Sequence, residues 1–191
     1  MKSGSPAKQN WNFANSVFRT NRIGDSTRMY PTDLTVAAVI EHDNKYLLVE
    51  EYAIGQRLFS QPGGHIESDE TPEQAVVRET LEETGCTIEC QDMVGVYLWI
   101  HPQTRQQFLR IVYAAKFIRC DESLALDDGI ISRRWMSLQD LRDRKAVLRS
   151  PAVLRCVDDY LAGQRQSDAL LTGMLPLQQN VHKILATADL V

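Results

Sequence analysis

The 23 residues from Gly64 to Cys86, GHIESDETPEQAVVRETLEETGC, restrict the fold of this chain more than any other segment. Thr71 is a suitable N-cap, the proline after it is favoured at the first helical position, and Gln74 can complete a capping box. Gly85 supplies a left-handed stop. The spacing therefore predicts a helix from about Pro72 to Thr84, preceded by a glycine-containing loop.

The predicted helix carries three glutamates on one face. At about 100° per residue, Glu79, Glu82 and Glu83 lie at i, i+3 and i+4. Like charges at this spacing destabilise a helix by roughly 0.2–0.5 kcal/mol per pair, and carboxylates are ligands that Mg²⁺ and Mn²⁺ prefer. Val77 and Leu81 point the opposite way, with Thr80 and Thr84 flanking them, which predicts that this side of the helix is buried. An ordinary solvated acidic surface is the alternative, and the helix alone favours a metal site only modestly over it.

Glycines on both sides of the helix make the pattern specific. Its charged and glycine positions follow one spacing: Gly64, five residues, Glu70, seven residues, Arg78-Glu79, two residues, Glu82-Glu83, one residue, Gly85. This spacing resembles the signature of the Nudix hydrolases. One position departs, because Thr80 stands where the signature usually has a bulky aliphatic residue. Threonine is close to valine in shape and its hydroxyl can bond back along the helix, so we expect it to be tolerated.

The resemblance implies a role for each matching residue. Divalent ions would be held by Glu79, Glu82 and Glu83, with the backbone carbonyl of Gly63 as a further ligand. Glu79 is also a candidate base for the attacking water. Two further residues would act indirectly, Arg78 by orienting the glutamates through ion pairs and Glu70 from outside the ligand set.

Many family members add a carboxylate six residues before a tryptophan in the last strand of the sheet. The matching tryptophan here is Trp135, but the sixth residue before it is Gly129. Asp127 and Asp128 stand just before that glycine and are candidates for the additional carboxylate. The sequence leaves both open.

Other segments resemble one bacterial branch of the family, whose members are phosphatases of hydroxymethylpyrimidine pyrophosphate, thiamine pyrophosphate and nucleoside di- and triphosphates. The likeness covers roughly residues 33 to 165, including the runs Leu98-Trp99-Ile100-His101-Pro102 and Leu148-Arg149-Ser150-Pro151. It implies a hydrolase that uses Mg²⁺, with Mn²⁺ as a substitute, to cleave small phosphoanhydrides. ADP-ribose, dinucleoside polyphosphates and RNA 5′ ends stay open as substrates. A non-catalytic binding module is disfavoured, since such proteins normally lose a glutamate of the signature.

Three residues outside the signature are candidate substrate contacts. His65 follows the glycine turn, Trp99 offers a ring for stacking, and Arg110 offers a guanidinium for phosphate oxygens. For each of them a purely structural role is the more common one.

Apolar runs around the signature predict an α/β domain. Two strands flank the turn at His42-Asp43-Asn44, further strands follow, and a last helix begins at Ser150-Pro151. The pattern agrees with the Nudix α/β/α sandwich, a mixed sheet with the Nudix loop-helix-loop. We expect an N-terminal extension over residues 1–33, the Nudix domain over 34–165 and a C-terminal tail over 166–191.

Charge and cysteine content limit the partners and the location. The net charge of −4 argues against binding a nucleic-acid duplex. No run of apolar residues is long enough for a membrane span and no signal peptide is evident, so we expect a cytoplasmic protein with its four cysteines reduced. A small phosphoanhydride is then the expected partner, and a homodimer stays open.

Overall fold

The computed structural model describes residues 32–53 and 55–166. They form a six-stranded mixed sheet with helices on both faces, which confirms the predicted α/β/α architecture. The predicted N-terminal extension and C-terminal tail lie outside the described residues, apart from residues 32, 33 and 166. The strands are β1 (Thr32–His42), β2 (Lys45–Ala53), β3 (Gln56–Ser60), β4 (Cys86–Ile100), β5 (Gln107–Cys120) and β6 (Ile130–Ser137), and the helices are α1 (Pro72–Thr84), α2 (Leu138–Asp143) and α3 (Pro151–Leu161).

The sheet runs in the order β3-β2-β1-β5-β4, with β6 paired to β2. β1 and β5 are parallel, and the remaining pairs are antiparallel. Successive side chains of β1 enter opposite cores, as expected for a strand covered on both faces. Ala37 and Val39 pack towards α2 and α3, whereas Val36, Ala38 and Ile40 pack towards α1.

β1 and β2 pair with each other only near their tight turn, and further along β1 the glycine loop takes the place of β2. Close to the turn, Glu41 pairs with Tyr46. Further along β1, Val36 N–H donates to Gly64 O at 2.8 Å and Ala38 N–H donates to Pro62 O at 3.0 Å. The loop that follows β3 is therefore bonded to the backbone of β1 as a strand would be, which fixes its path before α1 begins.

Helix α1 has the predicted bounds and cap, but its buried face differs from the prediction. Thr71 accepts from Gln74 N and Gln74 closes the capping box. The expectation that Leu81 is buried is wrong, because Leu81 is 41% exposed. The helix is turned so that small and branched side chains meet the tightly packed sheet, and its fully buried residues are Ala75, Val76, Thr80 and Thr84.

The cysteines also correct an expectation. Cys86 and Cys120, which face each other across β4 and β5, form a disulfide, while Cys90 and Cys156 are not disulfide-bonded. The prediction that all four are reduced is therefore wrong. Spacing along the chain gave no hint of this pair, because strand register and not sequence separation brings the two residues together. Within residues 32–53 and 55–166, the structure contains no helix with the length and hydropathy needed to cross a membrane.

Candidate active site

The glycine loop positions the first part of the site. Gly63 has φ +153°, and a Cβ there would lie 2.1 Å from Val36 O. Its N–H donates to Glu83 Oε2 at 2.8 Å, and no described residue donates a hydrogen bond to its carbonyl oxygen. Gly64 lies against the helix instead, since a Cβ there would meet the Glu79 carboxylate at 2.6 Å. Both glycines are thus required by close approach, and Gly63 keeps a backbone oxygen available as a ligand.

Arg78 joins the loop to the acidic face of α1. Its Nε and Nη2 donate to the two carboxylate oxygens of Glu70, at 3.0 and 2.6 Å. Its Nη1 donates to Glu79 at 2.7 Å and to Glu82 at 3.1 Å. The Arg78 guanidinium holds the pKa of Glu70 below its usual range, and the surrounding carboxylates raise the pKa of Arg78. Arg78 is therefore a fixed countercharge that sets the positions of three carboxylates.

Three carboxylates converge on one point. Glu79, Glu82 and Asp127 each offer an oxygen, and these atoms all lie within 4.8 Å of one another. Asp127 reaches the helix from the loop between β5 and β6, where its backbone N–H donates to Glu82 O at 3.0 Å. Burial raises the pKa of Glu79, and the charges of Glu82 and Asp127 raise it further. Such a group of hard oxygen donors fits a divalent cation.

Of the two aspartates that the sequence left open, the structure brings only one to the glutamates among the described residues. Asp128 is exposed and is not in the carboxylate group. The loop around Gly129, which has φ +96°, turns between the aspartates and β6. The carboxylate beside α1 is therefore Asp127, which stands further before Trp135 than the six residues usual in the family.

Glu83 lies apart from that group and faces the sheet. It lines a cavity of about 180 Å³ together with Gly63 and Arg110, and we call this the inner cavity. Burial raises the pKa of Glu83 to about 8, helped by the nearby charges of Glu79 and Glu51 and opposed by the Gly63 N–H. The predicted metal-ligand glutamates therefore occupy two positions, with Glu79 and Glu82 on one side and Glu83 at the wall of the cavity.

All three candidate substrate contacts line the inner cavity. Arg110 is half-buried, and its Nε donates to Thr35 Oγ1 at 3.3 Å. His65 is exposed, and its backbone oxygen accepts from Arg78 Nη2 at 3.1 Å. Trp99 stacks on Phe108, with ring centroids 5.5 Å apart. The structure thus gathers side chains from the loop, β4 and β5 at one place.

Sequence reasoning missed three residues at this cavity. Glu51 of β2 and Arg149 form an ion pair there, and Gln61, which is buried, donates from Nε2 to Val153 O at 2.7 Å. Arg149 belongs to a run that carries the family resemblance, so its position was available as a signal. Nothing in the sequence pattern distinguishes Glu51 from its neighbour Glu50, because only the pairing of β2 shows which side each one faces.

Comparisons with known proteins agree with this geometry. A family model described as the NUDIX domain matches residues 31–156. Phosphatase NudJ of Shigella boydii and phosphatase NudJ of Escherichia coli are each 36% identical over 137 residues, covering 72% of this chain and 88% of theirs.

Solved structures show the same similarity. A NUDIX hydrolase from Nitrosomonas europaea has a TM-score of 0.70 and 38% identity, covering 73% of this chain and 95% of that one. The MutT protein of Methanosarcina mazei, at 23% identity and a TM-score of 0.59, covers 73% of this chain and 100% of its own, and shares the fold. With the domain model matching more than half of its 191 residues, the chain belongs to the Nudix hydrolase family.

Proposed function

We propose that this Nudix hydrolase cleaves phosphoanhydride bonds in small pyrophosphates by attack of water, and that it depends on a divalent cation, Mg²⁺ or in its place Mn²⁺. The observation that carries the proposal is the convergence of Glu79, Glu82 and Asp127, whose oxygens lie within 4.8 Å of one another. Burial raises the pKa of Glu79, with a smaller contribution from the charges of Glu82 and Asp127, so the three carboxylates fit a site whose stability increases when a cation binds.

Two groups of oxygen donors could hold the cation, one on each side of the site. Glu79, Glu82 and Asp127 would hold it from α1 and the β5–β6 loop, while Glu83 and the Gly63 carbonyl would hold it from the side of the inner cavity. When bound, the cation supplies charge neutralisation for the pyrophosphate and activation of the attacking water. Arg78 keeps Glu79 and Glu82 in place through hydrogen bonds of 2.7 and 3.1 Å.

We assign Glu83 the role of accepting the proton of the attacking water. Of the three helix glutamates, Glu83 is the one that lines the inner cavity. Glu79, the base candidate from the family resemblance, accepts a hydrogen bond from Arg78 Nη1, and its carboxylate occupies the space that a Cβ on Gly64 would need. A carboxylate at the wall of this cavity lies where it can accept the proton of a water held there.

The substrates we propose are thiamine-type pyrophosphates and nucleoside di- and triphosphates. The relatives that carry the name phosphatase NudJ support phosphate release as the reaction, and the substrate class itself rests on the family resemblance of the sequence. Arg110 and Arg149 at the inner cavity offer two guanidiniums for phosphate oxygens.

Product analysis tests the proposal. The protein is incubated with Mg²⁺ and thiamine pyrophosphate, a nucleoside triphosphate or ADP-ribose. Orthophosphate from the first two supports the proposal. AMP from ADP-ribose as the main product would keep the metal chemistry and replace the substrate class. No metal-dependent product from any of the three would leave a binding module as the better description.

A further inference from the structure

A second and larger cavity, which we call the outer cavity, opens beside the inner one. Its volume is about 530 Å³, and its walls come from the end of β4 with the loop after it, from β3, and from the first turns of α3. Trp99, Arg149 and Ser150 line both cavities. The inner cavity, at about 180 Å³, is small by comparison, so the two together form a small chamber at the glutamates and a larger one beyond it.

Apolar side chains form much of the outer cavity. Leu58, Leu148 and Leu154 line it together with the Trp99 ring. Trp99 is half-buried, stacks on Phe108 with an angle of 27° between the rings, and meets the His101 ring edge-on at 5.3 Å. Because Phe108 covers one face of the indole, a ligand ring would have to stack on the part of the indole that lines the outer cavity. These contacts hold the Trp99 ring rigidly, which lowers the entropic cost of using it as a stacking surface.

The charged residues of the outer cavity are mostly cationic. Arg149 forms an ion pair with Glu51. The Nε of Arg155 donates to both carboxylate oxygens of Asp159, at 2.9 and 2.8 Å. Asp158 is paired with Arg142 at 3.4 Å, whereas Lys145 has no ion pair among the described residues. The outer cavity therefore offers mainly an apolar ring surface, with Lys145 as a cation whose charge no described ion pair offsets.

We propose that the outer cavity binds the organic part of the substrate as a flat aromatic ring stacked on Trp99, while the phosphates enter the inner cavity. This inference rests on the proposed function and narrows it. Ring-bearing phosphate esters such as nucleotides fit, and pyrophosphates without a ring make no use of this chamber. Its volume lies in the range of about 300–1,000 Å³ that is usual for small-molecule sites, and it meets the inner cavity at Trp99, Arg149 and Ser150, so one ligand can extend into both.

Two probes that differ only in the ring test the proposal. AMP and ribose 5-phosphate, neither of which has a phosphoanhydride bond to be hydrolysed, are titrated into the full chain by calorimetry with Mg²⁺ present. AMP should bind at least about tenfold more tightly, the effect expected for one stacked ring. Equal affinities for the two probes, or no detectable binding of either, would overturn the proposal.

Single substitutions test whether the adenine ring of AMP binds in the outer cavity. Trp99→Ala should remove the preference for AMP, and Trp99→Phe should restore most of it. Leu154→Trp, which fills the cavity from α3, should also weaken AMP binding about tenfold, whereas Leu161→Trp on an exposed part of the same helix should leave it unchanged. Unaltered AMP binding in Leu154→Trp, with circular dichroism confirming its fold, contradicts the assignment.

The two proposals fail in different ways. If AMP binds through Trp99 but no substrate is hydrolysed with Mg²⁺, the proposed function is wrong and the outer cavity stands as a nucleotide site. If hydrolysis is efficient but KM is the same for a nucleoside triphosphate and for inorganic tripolyphosphate, and unaffected by Leu154→Trp, the outer cavity is not the ring site.

Discussion

Gly63 N–H and Glu83 Oε2 are joined by a hydrogen bond of 2.8 Å, which ties the loop after β3 to the acidic face of α1. The loop is in turn held against β1 by the backbone bonds of Val36 and Ala38. Glu83 is thus fixed at the cavity wall by backbone contacts that do not require its charge. The residue can therefore be altered chemically while its position is kept.

Glu83→Gln should abolish hydrolysis without unfolding the protein. The amide oxygen can still accept from Gly63 N–H, so the contact is retained while the charge and the proton acceptor are lost. We expect kcat to fall by about 100-fold or more and the melting temperature to stay within a few degrees. Glu89→Gln, at an exposed position of β4, is the matched control and should retain full activity. A Glu83→Gln enzyme with near-normal kcat would remove Glu83 from the mechanism.

Alanine at the two glycines should have different consequences. A Cβ at Gly63 would lie 2.1 Å from Val36 O and 2.7 Å from Ala37 Cα, both backbone atoms, and the residue has positive φ. Gly63→Ala should therefore lower the melting temperature strongly. A Cβ at Gly64 would meet the end of the Glu79 side chain at 2.6 Å, which can move, so Gly64→Ala should keep the fold and lose activity. Thermal unfolding and turnover of the two variants side by side would check this, and the reverse pattern would contradict it.

Metal binding should release a proton from Glu83. The pKa of this group is raised from 4.5 to about 8 by burial, so at about pH 6.5 the cation must displace a proton. Calorimetric Mg²⁺ titrations in two buffers of different ionisation enthalpy give the number of protons released, and Glu83→Gln should reduce it by about one. An unchanged number in the variant would show that Glu83 is already ionised.

The raised pKa of Glu83 also predicts how the free energy of unfolding changes with pH when no metal is bound. A carboxyl group whose pKa is higher in the folded state binds more protons when folded, so its contribution is fully present below about pH 4.5 and is lost as the pH rises towards about 8. In EDTA, the wild-type free energy of unfolding should therefore fall more steeply over this range than that of Glu83→Gln. Parallel curves would contradict the shift.

Thr80→Val should be tolerated. Thr80 is fully buried, and its hydroxyl donates to Val76 O at 2.7 Å inside α1. Valine keeps the shape of the side chain and removes the hydroxyl, so no buried donor is left without an acceptor. The free energy of unfolding should therefore change by no more than about 1 kcal/mol. Urea unfolding measures this value. A loss of several kcal/mol would mean that the hydroxyl is required where the family usually has an aliphatic residue.

The disulfide should contribute measurably to stability. Cys86 and Cys120 are separated by 34 positions, for which loop-closure entropy gives about 3–4 kcal/mol. Cys86→Ser with Cys120→Ser should lower the free energy of unfolding by an amount of this order under oxidising conditions. Thiol titration of the denatured, unreduced protein checks the pairing directly, because two of the four cysteines should react. Four reactive thiols would show that the bond is absent.

The sequence was most informative where local chemistry decides the structure. The cap at Thr71, the stop at Gly85 and the turn at Asp43-Asn44 depend on a few neighbouring residues, and all three are confirmed. On α1, Thr80 and Thr84 flank the side that was expected to be buried and they are buried, but the prediction for Leu81 is wrong, because hydrophobicity alone does not show which side chains a crowded sheet accepts. Leu81 is accordingly exposed and Thr80 buried.

Long-range relationships were beyond the sequence for a different reason. Asp127 reaches Glu82 through the path of the loop before β6, and Cys86 meets Cys120 through strand register. Arg149 and Glu51 lie 98 positions apart. None of these pairs has a local pattern, since each depends on how separate elements are placed by the whole fold.

The buried bond from Gln61 to the carbonyl of Val153 connects the glycine loop with α3. Gln61 lies two positions before Gly63, and Val153 lies one before Leu154 of the outer cavity. A molecule bound against α3 and a cation bound against the glycine loop would thus each contact an element that the Gln61–Val153 hydrogen bond joins to the other. Substrates that differ only in their organic part would then differ in turnover as well as in affinity, and the enzyme would select among them during the chemical step itself.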